Sequence, residues 1–348
     1  MSPRLVASSL TAACLALPPL PARADTRYVM VTDRASQRII LFSGADGSLV
    51  NEHFIDFLAL GPAIGYPAEP VQVDNEIWVS GLFGGVRRYA ADGSAYLGTF
   101  GASQLSNTFG FEFANGIAYI PCNEGVQAGL VFQFNRSGIF IGGFFVGGST
   151  YDILRRGDEL LLSNSGPSGT VILRYSLSGN PLGPFTCPGC PTPSVGGQLV
   201  HLPDGGVLMT GHGAGGGLFR YSATGAFVTS YPPAPWGIAA LDNGAILCSF
   251  RKETGTAGPY DLTTGAYAPL LTGIDSFGAG ILVVPSACYA NCDGSTTPPI
   301  LTVSDFGCFL NRFAAGETYA NCDGSTQPPA LNVLDFNCFL NRFAAGCS

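Results

Sequence analysis

Between Asp25 and Pro285 the chain consists of short segments in which apolar and polar residues alternate, separated by turns rich in glycine. One stretch reads Ile77-Trp78-Val79-Ser80, a Gly-rich turn, Val86-Arg87-Arg88-Tyr89, then Asp92-Gly93-Ser94 and Tyr96-Leu97-Gly98. Alternation with a period of two, broken by Asp-Gly or Ser-Gly turns, is typical of β-hairpins. The body of the chain is therefore predicted to be all-β.

The same order of segments recurs along the whole body. The turn glycine that joins the last two segments of each unit falls at Gly47, Gly93, Gly138, Gly179, Gly225 and Gly265, at intervals of 46, 45, 41, 46 and 40 residues. Because one such unit cannot bury its apolar face alone, the units must stack around an axis. Six units predict a six-bladed β-propeller over residues 25–285, whereas a β-sandwich, the competing fold, would not require even spacing.

The two ends of the body are also predicted to pair. Tyr28-Val29-Met30-Val31 and Gly280-Ile281-Leu282-Val283-Val284 are both strand-like. Together they would complete one shared blade and close the ring.

The last sixty residues are a tandem duplication. Tyr289–Gly316 and Tyr319–Gly346 agree at 23 of 28 positions. Each copy runs from an Asn-Cys-Asp-Gly-Ser loop to an amphipathic helix whose apolar residues recur at i, i+3, i+4 and i+7: Phe306, Phe309, Leu310 and Phe313, then Phe336, Phe339, Leu340 and Phe343. These stripes are expected to pack on each other as the core of a small domain, with a partner surface as the alternative.

The loops carry oxygen-bearing side chains at alternate positions, as a calcium loop does. The candidate ligands are Asn291, Asp293, Ser295 and Asp305 in the first copy and Asn321, Asp323, Ser325 and Asp335 in the second. Each loop spans 15 residues instead of 12 and holds only two carboxylates, so weak binding at about 10⁻⁴ to 10⁻³ M is expected. Residues 301–303 and 331–333 are expected to form a short strand between the loops. The alternative is that disulfides alone hold the loops and any metal is incidental.

Two loop–helix units in tandem resemble a dockerin, and the match is closest to the Cys-containing, GC-type dockerin-like tails of bacterial surface and secreted proteins. The resemblance implies an EF-hand-like α-helical domain at residues 286–348, with two Ca²⁺ sites and a cohesin-like or cell-surface partner. The polar positions where that partner would make contact are Asn311, Arg312, Asn341 and Arg342.

The rhythm of the body resembles NHL-like and gluconolactonase-like six-bladed propellers, although no blade carries a catalytic motif of theirs. Ligands of propellers gather near the central channel, on loops that lead into the innermost strands. The candidates there, each expected just before a strand, are Glu69, Asp152, Gln198 and Trp236. Clustered carboxylates would hold a divalent cation, as in gluconolactonase-like enzymes; the alternative is that these are solvated loop residues.

Residues 1–24 read as a signal peptide, with Arg4 before an apolar stretch at 5–17 and an Ala22-Arg23-Ala24 cleavage site. Without them the chain has 14 basic and 24 acidic residues, a formal net charge of −10. An acidic, exported chain with no other long apolar stretch is expected to bind no nucleic acid and to span no membrane. It is expected to be secreted or to reach the cell surface.

Exported proteins keep disulfides. The six tail cysteines, Cys288, Cys292, Cys308, Cys322, Cys338 and Cys347, allow 15 pairings; one is two equivalent pairs plus a Cys288–Cys347 clasp. Cys187 and Cys190 are predicted to form a structural disulfide and not a redox site, because no thioredoxin-like βαβ pattern surrounds them. Cys122 and Cys248 are expected to be buried free thiols.

No Gly-x-Ser-x-Gly elbow, His-Glu-x-x-His motif or P-loop is present, and His53, His201 and His212 lack metal-ligand spacing. The sequence therefore favours a non-catalytic binding or scaffold propeller, displayed through a calcium-binding tail. The alternative is an extracellular lactonase-like hydrolase or a lyase with a metal in the channel.

Overall fold

The computed structural model describes residues 26–345 except 62–63, 168, 233, 285–288, 296–300, 324 and 326–327. The predicted signal peptide lies outside these residues. The described chain forms two compact units, Thr26–Val284 and the part that follows it. Within the described ranges, none of the helices is long and apolar enough to cross a bilayer.

The first unit contains six antiparallel sheets of four strands, one per blade. The first blade combines β1 (Thr26–Asp33), β2 (Arg38–Ser43) and β3 (Leu49–Asp56) with the last strand, β24 (Ala279–Val284). A short helix, α1 (Phe57–Leu60), follows β3, and a 3₁₀ turn spans Gly125–Gln127.

The other five blades each take four consecutive strands. They are, in chain order, β4 (Gly65–Val73), β5 (Glu76–Phe83), β6 (Val86–Ala90) and β7 (Tyr96–Phe100); β8 (Glu112–Ala114), β9 (Ile117–Cys122), β10 (Leu130–Asn135) and β11 (Phe140–Phe145); β12 (Ser149–Arg156), β13 (Glu159–Gly166), β14 (Gly169–Ser176) and β15 (Pro181–Pro184); β16 (Val195–His201), β17 (Val207–His212), β18 (Gly217–Tyr221) and β19 (Phe227–Tyr231); and β20 (Gly237–Ala240), β21 (Ile246–Ser249), β22 (Thr256–Tyr260) and β23 (Leu271–Thr272).

The ring closes where its two ends pair. β24 runs antiparallel to β1, in register from Thr26 opposite Val284 to Val31 opposite Ala279. The predicted shared blade is confirmed, and the six separate sheets confirm the propeller over the sandwich.

The predicted turn glycines join the outer two strands of each blade. All six have positive φ, from 73° at Gly265 to 84° at Gly225, a conformation that a side chain disfavours. The innermost strands β4, β8, β12, β16, β20 and β24 are neighbours around the axis. Apolar clusters fill the spaces between blades; one joins Ile39 and Phe57 to Ile77 and Tyr89.

In its described residues the second unit holds two helices, α2 (Val303–Ala314) and α3 (Val333–Ala345), and a 3₁₀ turn at Thr318–Ala320. The strand expected at 301–303 and 331–333 is absent from these described residues, because 301–302 and 331–332 lead directly into helices that begin at Val303 and Val333. Thr302 is the N-cap of α2 and forms a capping box with Asp305, which satisfies amides that a strand would have paired.

The helices pack by their aromatic stripes. The rings of Phe309 and Phe339 stack at 4.2 Å between centroids, and those of Phe306 and Phe343 approach to 4.7 Å. The predicted core role is thereby confirmed for the phenylalanines, whereas Leu310 is 49% exposed.

Disulfides link Cys292 to Cys308 and Cys322 to Cys338, the two equivalent pairs expected of a duplicated unit. Cys288 and Cys347 lie outside the described residues. In the propeller Cys187 is bonded to Cys190, and Cys122 and Cys248 are buried free thiols, as predicted.

Candidate functional site

The four predicted channel residues meet at one small pocket. Glu69, Asp152, Gln198 and Trp236 line it together with Phe109, Gly110, Tyr151, Gly197 and Phe277. The pocket has a free volume of about 10 Å³, enough for roughly one water molecule. These nine residues are called the channel pocket below.

The position of these residues differs from the prediction in one respect. Only Trp236 directly precedes a strand; Glu69, Asp152 and Gln198 lie within the innermost strands β4, β12 and β16. In each strand the pairing register shifts close to that residue, between 67 and 70, 150 and 152, and 196 and 199. Such bulges re-aim side chains, which explains how these residues turn toward the channel.

The carboxyl groups of Glu69 and Asp152 approach within hydrogen-bonding reach of each other. A Cβ on Gly110 would overlap an oxygen of both groups, so only glycine leaves room for the pair. Burial, and then the nearby charge of Asp152, raises the pKa of Glu69 well above its usual value. Burial also raises the pKa of Asp152 to about 8, so the pair holds at least one proton at neutral pH.

Asp152 is 2% exposed, and Glu69 is partly exposed where it faces the pocket. The alternative of solvated loop residues is therefore wrong for Asp152. Gln198, at 7% exposure, is buried as well.

Most polar groups of the channel are already used to join neighbouring innermost strands. Asp152 accepts hydrogen bonds from the amides of Ile153 at 2.7 Å and Leu199 at 2.6 Å. Glu112 accepts one from the amide of Arg155 at 2.7 Å. These contacts connect β8 to β12 and β12 to β16 through side chains.

Gln198 extends this network around the ring. Its Oε1 accepts from the amides of Ile238 at 2.8 Å and Ala279 at 3.2 Å, and its Nε2 donates to the carbonyl of Ala279. Gln72 bonds both backbone groups of Val283, at 2.7 and 2.9 Å. The channel interior thus holds the blades together.

Aromatic side chains surround the pocket. Phe109 lies 5.4 Å from Tyr151, 5.9 Å from Phe277 and 6.2 Å from Trp236, measured between ring centroids. These four side chains are called the aromatic rim. Tyr151 lies within the inner strand β12, and the other three precede the inner strands β8, β20 and β24.

Two further residues contact the rim that sequence reasoning did not select. The ring of His212 stacks on Trp236 at 3.8 Å, and the guanidinium of Arg251 lies 5.2 Å from the same ring. Burial, and then the charge of Arg251, lowers the pKa of His212 to about 4. His212 ends β17 and Arg251 follows β21, and both strands are the second of their blade. The sequence would have indicated these residues only through a comparison of the ends of the second strands between blades.

The channel residues do not fit a divalent cation well. No group of three His, Cys, Asp or Glu residues is arranged to hold a metal in the part of the chain that the structure describes. Burial raises the pKa of both Glu69 and Asp152, so this pair offers a cation at most one charged carboxylate at neutral pH.

The candidate calcium loops bring their predicted residues together. In the first copy both oxygens of the buried Asp305 accept backbone amides, from Asp293 at 3.1 Å and Thr302 at 2.8 Å. The carboxylates of Asp293 and Asp305 approach within hydrogen-bonding reach. Ser295 donates its amide to Asp293 and its hydroxyl, at 3.4 Å, to Asn291 Oδ1.

The second copy repeats this geometry with one difference. Asp335 accepts the amides of Asp323 at 3.2 Å and Asn332 at 2.8 Å. Ser325 turns its hydroxyl to the carbonyl of Ala330. Among the described residues, the buried Oδ1 of Asn321 is therefore left without a hydrogen-bond partner. An unpaired oxygen beside two carboxylates is the donor chemistry that Ca²⁺ takes.

In each Asn-Arg pair that was expected to contact a partner, the asparagine and the arginine have different surroundings. Asn311 and Asn341 are exposed. Arg312 lies over the ring of Tyr319 at 4.7 Å and Arg342 over that of Tyr289 at 5.0 Å, so each arginine packs on the other repeat. The two tyrosine rings stack at 4.8 Å, and each hydroxyl donates to the other's carbonyl. Both arginines have a structural role.

No family model matches the sequence, and no curated protein is similar to it. Its fold is similar to that of solved structures. One from a nidogen/laminin complex has a TM-score of 0.59 and 10% identity, over 74% of this chain and 98% of that one. A Bacteroides caccae protein of unknown function has a TM-score of 0.55 and 13% identity, over 74% and 99%.

A putative 6-phosphogluconolactonase from Bacteroides fragilis has a TM-score of 0.51 and 10% identity, over 76% of this chain and 99% of that one. At such low identities the likeness extends to the fold alone. By its fold, residues 26–284 of this protein form a six-bladed β-propeller.

Proposed function

We propose that this protein is an exported, non-catalytic binding or scaffold protein, whose dockerin-like tail anchors it through two calcium-loaded loops. The first part of the proposal rests on the hydrogen bonds that the polar side chains of the channel already make to the backbone. Glu112, Asp152, Gln198 and Gln72 bond backbone groups of neighbouring strands. A reaction would need such groups free, and space for a substrate beside them.

The size of the channel pocket supports the same reading. Its free volume of about 10 Å³ is far below the roughly 300 Å³ at which ligand-binding clefts begin. In this proposal a small-molecule ligand therefore does not enter the channel.

The tail part of the proposal rests on the duplicated loops. Two carboxylates meet in each loop, and the second copy leaves Asn321 Oδ1 buried and unpaired among the described residues. In this proposal Asn291, Asp293, Ser295 and Asp305 hold one Ca²⁺, and Asn321, Asp323, Ser325 and Asp335 hold the other. Calcium fixes the loops, and the exposed faces of α2 and α3 meet a cohesin-like or cell-surface partner.

A lactonase-like hydrolase is the second candidate, favoured by one observation. The Glu69–Asp152 pair stays protonated at neutral pH, which is the state that a general acid requires. The likeness to putative 6-phosphogluconolactonases agrees with it at the level of fold.

Hydrolysis of lactones and esters separates the two candidates. The substrates would be aldonolactones and p-nitrophenyl esters, tested on wild type and on Glu69→Gln, which keeps the shape of the pair but cannot transfer its proton. The binding proposal predicts that wild type and Glu69→Gln have the same background rate. A wild-type rate about 100-fold or more above Glu69→Gln would establish the hydrolase, since general acid–base catalysis contributes about 10²–10⁴-fold.

A further inference from the structure

The outer edge of the third blade exposes four large apolar side chains in a row. They lie on β11 and on the residue before it: Ile139 is 61% exposed, Phe140 46%, Ile141 51% and Phe145 68%. From residue 139 to residue 146 every position is apolar or glycine. An exposed apolar edge strand is a template for pairing with another chain.

The outer strands of the other blades are protected against such pairing. β3 carries Glu52, β15 consists of Pro181-Leu182-Gly183-Pro184, and β23 has only two residues. β7 and β19 place the polar Thr99 and Ser230 among their exposed positions. Charge, proline and short length are the means by which edge strands avoid pairing, and β11 has none of them.

The backbone of β11 has hydrogen-bonding groups free on this edge. β11 is the end strand of its sheet, and among the described strands only β10 pairs with it. Val146 donates its amide to the carbonyl of Gly129 at 2.8 Å, and bonded and unbonded pairs alternate along an antiparallel ladder. The amide and carbonyl groups of Gly143 and Phe145 therefore point away from β10.

This edge is complementary to itself. In an antiparallel pairing of two copies about Phe144, Gly143 of one copy stands opposite Phe145 of the other, and each such pair exchanges two backbone hydrogen bonds. Gly143 has no side chain, so the ring of the opposing Phe145 has room to lie over it. Phe144 keeps its own contact on the other face, where its ring stacks on Tyr175 at 5.4 Å between centroids.

The charge of the chain favours a second copy over an acidic or basic partner at this edge. The formal net charge is −8, whereas no charged residue lies between Arg136 and Asp152. Arg136 is itself paired with Asp74 and Glu76. Two acidic molecules repel each other over most of their surface, and an uncharged face is where they meet with least repulsion.

We propose that this protein forms a twofold-symmetric dimer by antiparallel pairing of β11 in two copies. A phenylalanine buries about 150–250 Å², so Phe140 and Phe145 together contribute on the order of 200 Å² per copy. A contact of one strand and these side chains stays below the ~1,200 Å² of stable complexes, so the dimer is weak and reversible. The inference goes beyond the proposed function, because it gives each assembly two propellers and two tails.

Sedimentation velocity of the full chain between about 1 µM and 1 mM tests the pairing, since weak dimers assemble in this range. Wild type should shift from monomer to dimer as the concentration rises. Phe145→Lys should weaken the dimer about 30-fold or more, as loss of a central interface residue does. Val228→Lys is the control, because it puts the same charge on a 51% exposed residue of the outer strand β19, and it should dimerise as wild type does. Both variants should keep the wild-type melting temperature, because both side chains are exposed.

Hydrogen exchange locates the contact. The amides of Gly143 and Phe145 should exchange quickly in dilute protein and slowly at the concentration where the dimer forms. The amides of β19 should exchange equally fast at both concentrations. In Phe145→Lys the concentration should no longer affect the amide of Gly143.

Three results would overturn the inference: a wild type that stays monomeric at about 1 mM, an equally strong dimer in Phe145→Lys, or full protection of the β11 amides in dilute protein. The last would show that another part of the chain covers this edge. Failure of the proposed function looks different, since it appears as lactone or ester hydrolysis that Glu69→Gln removes, or as a tail that binds no calcium. Neither result alters the pairing of β11.

Discussion

Glu69 and Asp152 hold a proton because two buried carboxylates cannot both be charged so close together. Asp152 keeps its backbone hydrogen bonds, and Gly110 has no side chain to separate the pair. The contribution of this pair to the stability of the fold therefore depends on pH. Nearby, the Nε of Arg251 and the Nε2 of His212 are buried without a hydrogen-bond partner among the described residues.

Raising the pH is predicted to destabilise the propeller. An acid whose folded pKa is raised stabilises the fold below its unfolded pKa, near 4, and loses that contribution as the pH rises through the folded value, about 8 for Asp152. Between pH 6 and 9 the melting temperature should fall by about 2–4 °C for each kcal/mol lost. Calorimetric melts of wild type and of Glu69→Gln with Asp152→Asn check this, because the double variant has no carboxyl left to titrate in the pair. An equal fall in both would show that the pair does not cause the loss.

The sequence indicated the four channel residues but not their partners. Glu69, Asp152 and Gln198 stood near the starts of apolar segments, and that position was sufficient to bring them to one channel. The bulges that turn them inward and the stacking of His212 on Trp236 depend on contacts between blades, which no local pattern encodes.

Among the elements, the two tail helices form one core, because each copy of the duplicated sequence contributes the same row of apolar side chains. Phe309 and Phe339, equivalent in the repeat, stack on each other, and both are fully buried. The helical period predicted this packing. It did not predict that Thr302 and Asp305 would cap the helix where a strand was expected.

Substitution within one helix is predicted to separate core from surface. Phe309→Ala should destabilise the tail by about 3–5 kcal/mol, because it removes a ring with 0% exposure and leaves a cavity. Leu310→Ala, the neighbouring position with 49% exposure, should cost under about 1 kcal/mol. Hydrogen exchange of the α2 and α3 amides measures both, and similar costs would show that the stripe is not the core.

At the scale of the whole molecule, closure of the propeller ring depends on contacts at more than one place. The pairing of β1 with β24 joins the two ends of the chain in one blade. Gln72 then bonds Val283 of that blade from the neighbouring one. The even spacing of the turn glycines was enough to predict the number of blades, whereas the side-chain links between them were not visible in the sequence.

Removing one such link should loosen the ring. Gln72→Ala leaves both backbone groups of Val283 without their side-chain partner and should cost about 1–3 kcal/mol. Gln104→Ala is the matched control, because among the described residues the side chain of Gln104 accepts only from the exposed Ser103 hydroxyl. Differential scanning calorimetry compares them; equal melting temperatures would show that the link does not contribute to closure.

The central claim is that metal belongs to the tail and not to the channel. The most direct test is the calcium stoichiometry of the full chain, measured by calorimetry at millimolar calcium. Wild type should bind two ions, and Asp293→Asn with Asp323→Asn should bind both far more weakly. Asp46→Asn, which alters the same Asp-x-Ser turn on the propeller, should keep two, as should Glu69→Gln with Asp152→Asn. No calcium bound to wild type, or an ion lost with the channel pair, would contradict the account.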